Sequence, residues 1–231
     1  MFSQKLVKLC TMKRIRMAMC AAVCGVLSIV SCTTDGQLFE DYGCMQQKIV
    51  PVSAHSIDKS NVAVVNQLFV NNKISSDNFR YISYERSTFQ ASYSPYTQYD
   101  QQTVRLLQYT NSLPVFNGDL IFIFWNGALH YETGNVTKGT TLNTSPHLNL
   151  AQIRALFLAD IKKNTANSAM YADSCFQGEF GYYNVNAGVN NASEKLVKAW
   201  HVTPKNSSYP EAYYNDEQGE LLYYFDGLYS L

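Results

Sequence analysis

Residues 113–134 read LPVFNGDLIFIFWNGALHYETG, and this stretch decides the fold. Inside it, an apolar run over 120–125 is followed by the pair Asn126-Gly127 and a second short apolar segment. Asn-Gly is the favoured pair for a two-residue type I′ turn, because both central residues need positive φ angles. The stretch therefore predicts a β-hairpin. Its first strand is apolar on both faces, so we expect the hairpin to be central in its sheet and covered on both sides.

The segments before the hairpin predict one helix and two more strands. Apolar residues recur at helical spacing over 60–70, with Ser60 as the expected N-cap. Residues 79–84 and 103–109 are rich in strand-forming residues and flank a loop of Ser, Tyr and Gln. The polar residues 33–54 predict a tether. This half therefore reads as one helix packed on a small antiparallel sheet.

A second helix is predicted to begin at Asn149. Asn149 as N-cap with Gln152 three residues later has the pattern of a capping box. The buried stripe of this helix is expected at Ile153, Leu156, Phe157 and Ile161. Residues 164–194 show little periodicity, so we expect an irregular excursion there. The last strands are predicted over 196–202, 209–215 and 220–225.

Several motifs resemble the propeptides of thermolysin-like and fungalysin-like metalloproteases. Their FTP motif is similar to Pro114-Val115-Phe116-x-Gly118-x-Leu120 with Gly127 and Gly134, followed by Leu142-x-Thr144-x-Pro146-x-Leu148. Their PepSY ending is similar to Leu196-Val197-x-x-Trp200-x-Val202 followed by Asp216-x-x-Gly219-Glu220-Leu221. The resemblance implies an α+β fold of two small helix-on-antiparallel-sheet modules, FTP-like and then PepSY-like, in a cystatin-like roll.

The resemblance also implies boundaries and a role. It places the FTP-like module at 56–144 and the PepSY-like module at 145–231, after a signal peptide at 1–31 and a tether at 32–55. It implies a stand-alone, non-enzymatic protein that binds a secreted metalloprotease as inhibitor or folding assistant. In the family, the C-terminal end of the propeptide leads into the protease. The large apolar residues at this end of the chain would suit a hydrophobic specificity pocket of the protease. The candidate partner-binding residues are Asp226, Gly227, Leu228, Tyr229, Ser230 and Leu231.

The N-terminus predicts a bacterial lipoprotein. Five basic residues and no acidic ones precede or flank an apolar run over 17–30, which is shorter than the roughly 20 residues of a membrane span. The run ends in Ile29-Val30-Ser31-Cys32, which resembles a lipobox and implies lipidation of Cys32. A plain secretory signal or an N-terminal anchor helix is the alternative. We expect a lipid-anchored protein of the cell envelope, at the periplasmic or surface face of the outer membrane.

Composition and cysteine content further limit the classes of protein to which the chain can belong. The chain has 231 residues, 46% of them hydrophobic, enough for a core. Five of its 18 basic residues lie in 1–31, which leaves 13 against 18 acidic residues, a net charge of −5. This acidic balance argues against nucleic-acid binding. In an oxidising compartment, Cys44 and Cys175 either form a disulfide or stay as buried thiols.

The sequence contains no recognisable catalytic or metal-binding motif. The four histidines, at positions 55, 130, 147 and 201, have no other His or Cys at zinc-ligand spacing, and the GxSxG and GxxxxGK motifs are absent. We therefore expect neither an enzyme nor a cofactor. Asp216, Glu217 and Asp226 are interpreted as turn acids rather than calcium ligands, and Asp119 with Glu132 as surface residues.

Two other function classes stay open. One is a glycan- or peptide-binding module of the envelope, since aromatic rings beside Asn and Gln can form a carbohydrate platform. The other is a structural envelope lipoprotein. The tyrosines expected to be exposed in loops are Tyr93, Tyr96, Tyr99, Tyr182 and Tyr183, whereas Trp125 and Trp200 are expected in the core.

Overall fold

The chain folds as an α+β protein. The structure, a computed structural model, describes residues 44–90, 97–165, 168–189 and 193–228. The expected signal peptide and Cys32, the loop tyrosines Tyr93 and Tyr96, and the last three residues lie outside these ranges. No helix in the described ranges is both long and apolar enough to cross a membrane.

Two helices and ten strands make up these ranges. The helices are α1 (Lys59–Asn71) and α2 (Leu150–Asn164), with a 3-10 turn at Ser168–Tyr171. The strands are β1 (Met45–Lys48), β2 (Phe79–Gln90), β3 (Gln98–Thr110), β4 (Leu113–Phe116), β5 (Leu120–Trp125), β6 (Ala128–Thr133), β7 (Phe176–Asn184), β8 (Leu196–Pro204), β9 (Glu211–Asn215) and β10 (Leu221–Phe225). They form one mixed, mostly antiparallel open sheet in the order β10-β9-β8-β7-β4-β3-β5-β6, with β1 beside β7 and β2 beside β3.

The predicted hairpin forms, but it is covered on one face only. Asn126 and Gly127 join β5 to β6 with φ angles of 51° and 81°, as a type I′ turn requires. Leu120, Phe122 and Phe124 are buried, while the opposite face of β5 is half-buried and β6 is exposed along its whole length at the sheet edge. The expectation of a hairpin covered on both sides is wrong, because no described helix packs on the second face.

Helix α1 follows the predicted stripe but begins earlier than expected. Asp58, not Ser60, is the N-cap, and its carboxylate accepts a hydrogen bond from the backbone N–H of Asn61. The Ser60 hydroxyl instead donates to the same carboxylate. The buried residues of α1 pack against β2, β3 and β5 in a first core, which contains Val65, Leu68, Phe69, Phe79, Tyr81, Val104, Leu106, Leu120, Phe122 and Phe124.

Helix α2 begins with the predicted capping box. The Asn149 side chain accepts from the backbone N–H of Gln152, and the Gln152 side chain accepts from the backbone N–H of Asn149. Three residues of the predicted stripe are fully buried and Leu156 is partly buried. They pack in a second core with Met45, Phe176, Phe180, Trp200, Val202, Ala212 and Tyr214.

Strand β7 lies where the sequence predicted an irregular excursion, so that prediction is wrong. It pairs with β8 on one side and with β1 and β4 on the other. Glycines, which are depleted in strands, obscured the pattern. Gly181 is required by a close approach: a Cβ there would lie 2.5 Å from the Pro114 carbonyl oxygen and 2.9 Å from the Phe116 ring. The junction between the two cores thus excludes a side chain at this position.

Strand β1 lies in the segment predicted as a tether. It pairs in parallel with β7, with Met45 opposite Phe176, and Met45 is buried in the second core. Cys44 and Cys175, the residues directly before this pair, form a disulfide. The start of the parallel ladder is therefore fastened covalently.

Five further strands agree with the predicted ones apart from their lengths, whereas β4 was not predicted as a strand. β2 and β3 each extend beyond the predicted segments, which shortens the loop between them. β8, β9 and β10 occupy the three predicted C-terminal strands. Gly219 has a φ of 69° in the turn between β9 and β10, where a left-handed residue was expected.

Both helices pack on the same face of the sheet. Leu106 of β3 faces α1, and Thr110, four residues further on, pairs with Leu113 of β4 on that same face. Leu113 in turn packs against the second core, beneath α2. No helix among the described elements covers the other face, which we call the open face.

Candidate functional site

A row of side chains crosses five adjacent strands on the open face. Strand register aligns Lys48 on β1, Glu179 on β7, His201 on β8, Tyr213 on β9 and Tyr223 on β10. Because side chains alternate between faces, all five point away from the helices, opposite Phe180 and Trp200. Folding therefore assembles charged and aromatic groups from five strands into one line.

This row forms the centre of a groove of about 410 Å³, which we call the seam groove. It lies where β4 meets β7, with Phe116 opposite Tyr183. The remaining lining residues are Arg80, Leu107, Asn117, Asp119 and Glu211. A groove of this size falls within the range of small-ligand sites.

Glu179 is the least satisfied group in the seam groove. It is 8% exposed, and its Oε1 has no hydrogen-bond partner. Burial raises the pKa of the Glu179 carboxyl, an effect that the charges of Lys48, His201 and Arg80 only partly offset. A buried carboxyl without a hydrogen bond opposes folding. Fold stability does not account for Glu179, and a perturbed carboxyl in a groove is a candidate ligand group.

Beside Glu179, the groove is lined by a His–carboxylate pair and stacked rings. The Nε2 atom of His201 lies 3.0 Å from an Oε2 of Glu211, and the His201 ring stacks on Tyr213 with centroids 4.4 Å apart. The Phe116 ring contacts both rings, at 5.6 and 5.4 Å. Burial, with the nearby charge of Glu211, raises the pKa of Tyr213, so its phenol stays neutral. These groups form a preordered wall.

Replacing Glu179 by glutamine should stabilise the protein at neutral pH. Because the pKa of Glu179 is raised in the folded state, its favourable contribution exists below the ordinary glutamate pKa of about 4.3 and is lost as the pH rises through the raised value. Glutamine keeps the shape and carries no charge. The melting temperature of the variant should therefore exceed that of the parent at pH 7.5, and the difference should vanish near pH 4. A lower melting temperature at pH 7.5 would show that Glu179 is paired in solution.

Asp216 is a buried structural carboxylate rather than a simple turn acid. It is fully buried and accepts hydrogen bonds from the backbone N–H groups of His147 and Leu148 and from Nε1 of Trp200, at 2.7 to 3.1 Å. Lys198, itself 7% exposed, completes the site at 3.2 Å. These contacts tie the segment before α2 to β8. In the described ranges, no three His, Cys, Asp or Glu residues are grouped so as to hold a metal ion.

Trp125 is not a core residue, contrary to the prediction. It is half-buried on the open face at the far end of β5, and it stacks on Tyr99, Phe89 and His130 with centroids 4.5, 5.2 and 3.3 Å apart. We call these four residues the aromatic row. The rings stack on one another within 28°, so they cover one another's faces. Sugar platforms need exposed ring faces, which this stacking reduces.

The other predicted aromatics fall in different environments. Trp200 is 2% exposed, as expected of a core residue. Tyr182, predicted to be exposed, is fully buried, because it lies on the helix-facing side of β7. Tyr183, its neighbour, is half-buried and lines the seam groove. The exposed-loop prediction fails for both because they belong to a strand.

The predicted partner-binding segment follows the edge strand β10. Its described residues are Asp226, Gly227 and Leu228, while Tyr229, Ser230 and Leu231 lie outside the described ranges. The Asp226 carboxylate accepts a hydrogen bond from the backbone N–H of Leu228 at 2.8 Å. Gly227, with a φ of 89°, sits on the Tyr209 side chain, where a Cβ would lie 2.8 Å away. Leu228 is 77% exposed.

The seam groove was not predicted from the sequence. Its residues come from distant segments, and no local spacing brings Lys48, Glu179 and His201 together. The available signal was the alternation of Phe176, Gly178, Phe180 and Tyr182, which implies a strand with Glu179 on its other face. The sequence matches no protein-family model and no curated protein. Its function is therefore inferred from its own surfaces and motifs.

Proposed function

We propose that this chain is a propeptide-like, non-enzymatic envelope lipoprotein that binds a metalloprotease as inhibitor or folding assistant. The observation that carries the proposal is the exposure of Leu228. Leu228 is 77% exposed three residues after the edge strand β10, so its side chain is accessible to a partner. An extended segment at this position can lie along a protease cleft as an added strand, with Leu228 entering a hydrophobic pocket.

The architecture supports an FTP-like module followed by a PepSY-like module. Each half has one helix on its own core, and the first half supplies β4 while the second supplies β7. The motif residues Pro114 and Phe116 lie where the halves meet, packed against Gly181. In this proposal, the FTP-like motif is retained because it forms the junction that keeps both modules in one sheet.

The first residues of the C-terminal segment are held in place by the fold before any partner binds. Gly227 is seated on Tyr209, and the Asp226 side chain holds the backbone of Leu228. Such ordering lowers the entropic cost of binding. A free inhibitor lacks the high effective concentration of a covalently linked propeptide, so it must bind through its own contacts. A lipid at Cys32 would confine it to the membrane surface.

Deleting residues 228–231 tests this assignment. We expect the truncated protein to lose inhibition of a thermolysin-like protease, because the segment proposed to occupy the cleft is gone. Leu228→Ala alone should weaken inhibition about tenfold or more, the usual value of burying a leucine side chain. Met170→Ala is the matched control, since Met170 is 67% exposed but lies on the 3-10 turn. Full potency in the truncated protein would rule out this segment as the inhibitory element.

A peptide-binding module is the second candidate function, and the seam groove favours it. The groove offers cations, carboxylates and aromatic rings together. Of the aromatic residues named for the glycan-binding alternative, Trp125 and Tyr99 belong to the aromatic row, whose ring faces are largely covered by stacking, and Tyr93 and Tyr96 lie outside the described ranges. A protein that binds peptides in the groove but is inert toward metalloproteases would match this second function.

A further inference from the structure

We propose that the seam groove is a binding site for a short zwitterionic peptide, with Glu179 facing the peptide ammonium group and Arg80 and Lys48 facing its carboxylate. This site rests on the second candidate function, the peptide-binding module, and it is separate from the C-terminal segment proposed to bind a protease. Three features of the groove support this site: an acid without a hydrogen-bond partner, cations with spare hydrogen-bonding capacity, and a wall of aromatic rings.

The acid is Glu179, near the centre of the groove. It is more than nine-tenths buried, and its Oε1 has no hydrogen-bond partner in the folded chain. The other groove carboxylates already have partners: Glu211 pairs with His201, and Asp119 pairs with Arg105. Glu179 is therefore the carboxylate left to receive a ligand donor, for which an ammonium group is the strongest match.

The cations are Lys48 on β1 and Arg80 on β2. Lys48 is the register partner of Glu179 across β1 and β7. Arg80 makes two long hydrogen bonds, each of 3.4 Å, to the hydroxyls of Tyr109 and Ser56, and its Nε has no partner in the described chain. A guanidinium held this loosely retains capacity for a carboxylate, which it can bind through two parallel hydrogen bonds.

The aromatic wall selects for a peptide over a simple salt. Phe116, Tyr183, Tyr213 and Tyr223 line the groove beside the charged groups. Their rings can contact an apolar side chain and can stabilise an ammonium group through cation–π attraction. A volume of about 410 Å³ suits a ligand of dipeptide size. A ligand that carries both an ammonium group and a carboxylate can pair with Glu179 and with the cations of the groove at the same time.

The probe for this site is the dipeptide alanyl-phenylalanine. Its binding to the chain from residue 33 onward is measured by isothermal titration calorimetry. Two capped forms serve as ligand controls: the N-acetyl form lacks the ammonium group, and the C-terminal amide lacks the carboxylate. We expect each cap to weaken binding about tenfold or more, the usual effect of losing a hydrogen bond between charged groups.

The Glu179→Gln variant tests whether Glu179 is the group that binds the ammonium group of the peptide. This variant should weaken binding of the free dipeptide about tenfold and leave binding of the N-acetyl form unchanged, because the partner of Glu179 is already absent there. Its expected gain in stability excludes misfolding as the cause. Glu132→Gln, on the exposed edge strand β6, is the matched control and should change neither. Absence of dipeptide binding at millimolar concentration, or binding insensitive to the caps or to Glu179→Gln, would overturn the proposal.

Discussion

Replacing Asp216 by alanine is expected to lower the free energy of unfolding by about 3–5 kcal/mol, enough to unfold many domains at physiological temperature. The carboxylate is fully buried and balances the charge of Lys198. It also accepts three N–H groups, from His147, Leu148 and Trp200. Its loss leaves a buried ammonium group less compensated and several donors unpaired. Urea denaturation, followed by the fluorescence of the two tryptophans, measures the change.

Glu217→Ala is the matched control for that experiment. Glu217 follows Asp216 in the same turn and also pairs with Lys198, at 2.7 Å, but its side chain is 57% exposed. Exposed ion pairs contribute about 0–1 kcal/mol, so this variant should remain close to the parent. Equal losses in the two variants would contradict the role of Asp216 as a buried anchor, since the Glu217 side chain is exposed and accepts none of the three N–H groups.

Replacing both Cys44 and Cys175 by serine is expected to cost up to about 5 kcal/mol of stability. The two cysteines are 131 residues apart, and the chain-entropy model assigns a bridge of this length a contribution near that value. The bridge also fastens β1 to β7 at the start of their parallel ladder. Its removal should loosen β1 and with it Lys48, so the dipeptide affinity of the seam groove should fall as well.

Thermal unfolding with and without reductant measures the disulfide contribution. The parent protein should lose stability when reduced, while the double-serine variant should show no response to reductant. Mass spectrometry under non-reducing conditions verifies the bridge directly. A parent protein that contains the bridge, yet is as stable when reduced as when oxidised, would show that the folded strands hold β1 without it.

Features encoded by neighbouring residues could be predicted from the sequence. The Asn126-Gly127 turn and the capping box at Asn149 both depend on side chains within three residues of one another, and both form as expected. The cap of α1 was assigned to Ser60 instead of Asp58, because several polar residues there can serve as caps. Local sequence patterns therefore predicted the existence of helices and turns more reliably than they predicted the residue at which each one begins.

Features created by long-range pairing could not be predicted. β1 has only four residues and gains its place through parallel pairing with β7, more than a hundred residues later. β7 was missed because Gly178 interrupts its apolar face and Gly181 its other face, and the reason for Gly181 is the backbone of β4. The seam groove depends on both strands, so no window of sequence contained its pattern.

The most direct test of the central claim is inhibition of a thermolysin-like protease, ideally one from the same organism, by the chain from residue 33 onward. Activity is measured against a small chromogenic substrate over a range of inhibitor concentrations, and the inhibitor is followed by gel electrophoresis. The propeptide-like function predicts dose-dependent inhibition without rapid cleavage of the added chain. An inert protein, or one digested as an ordinary substrate, would contradict it.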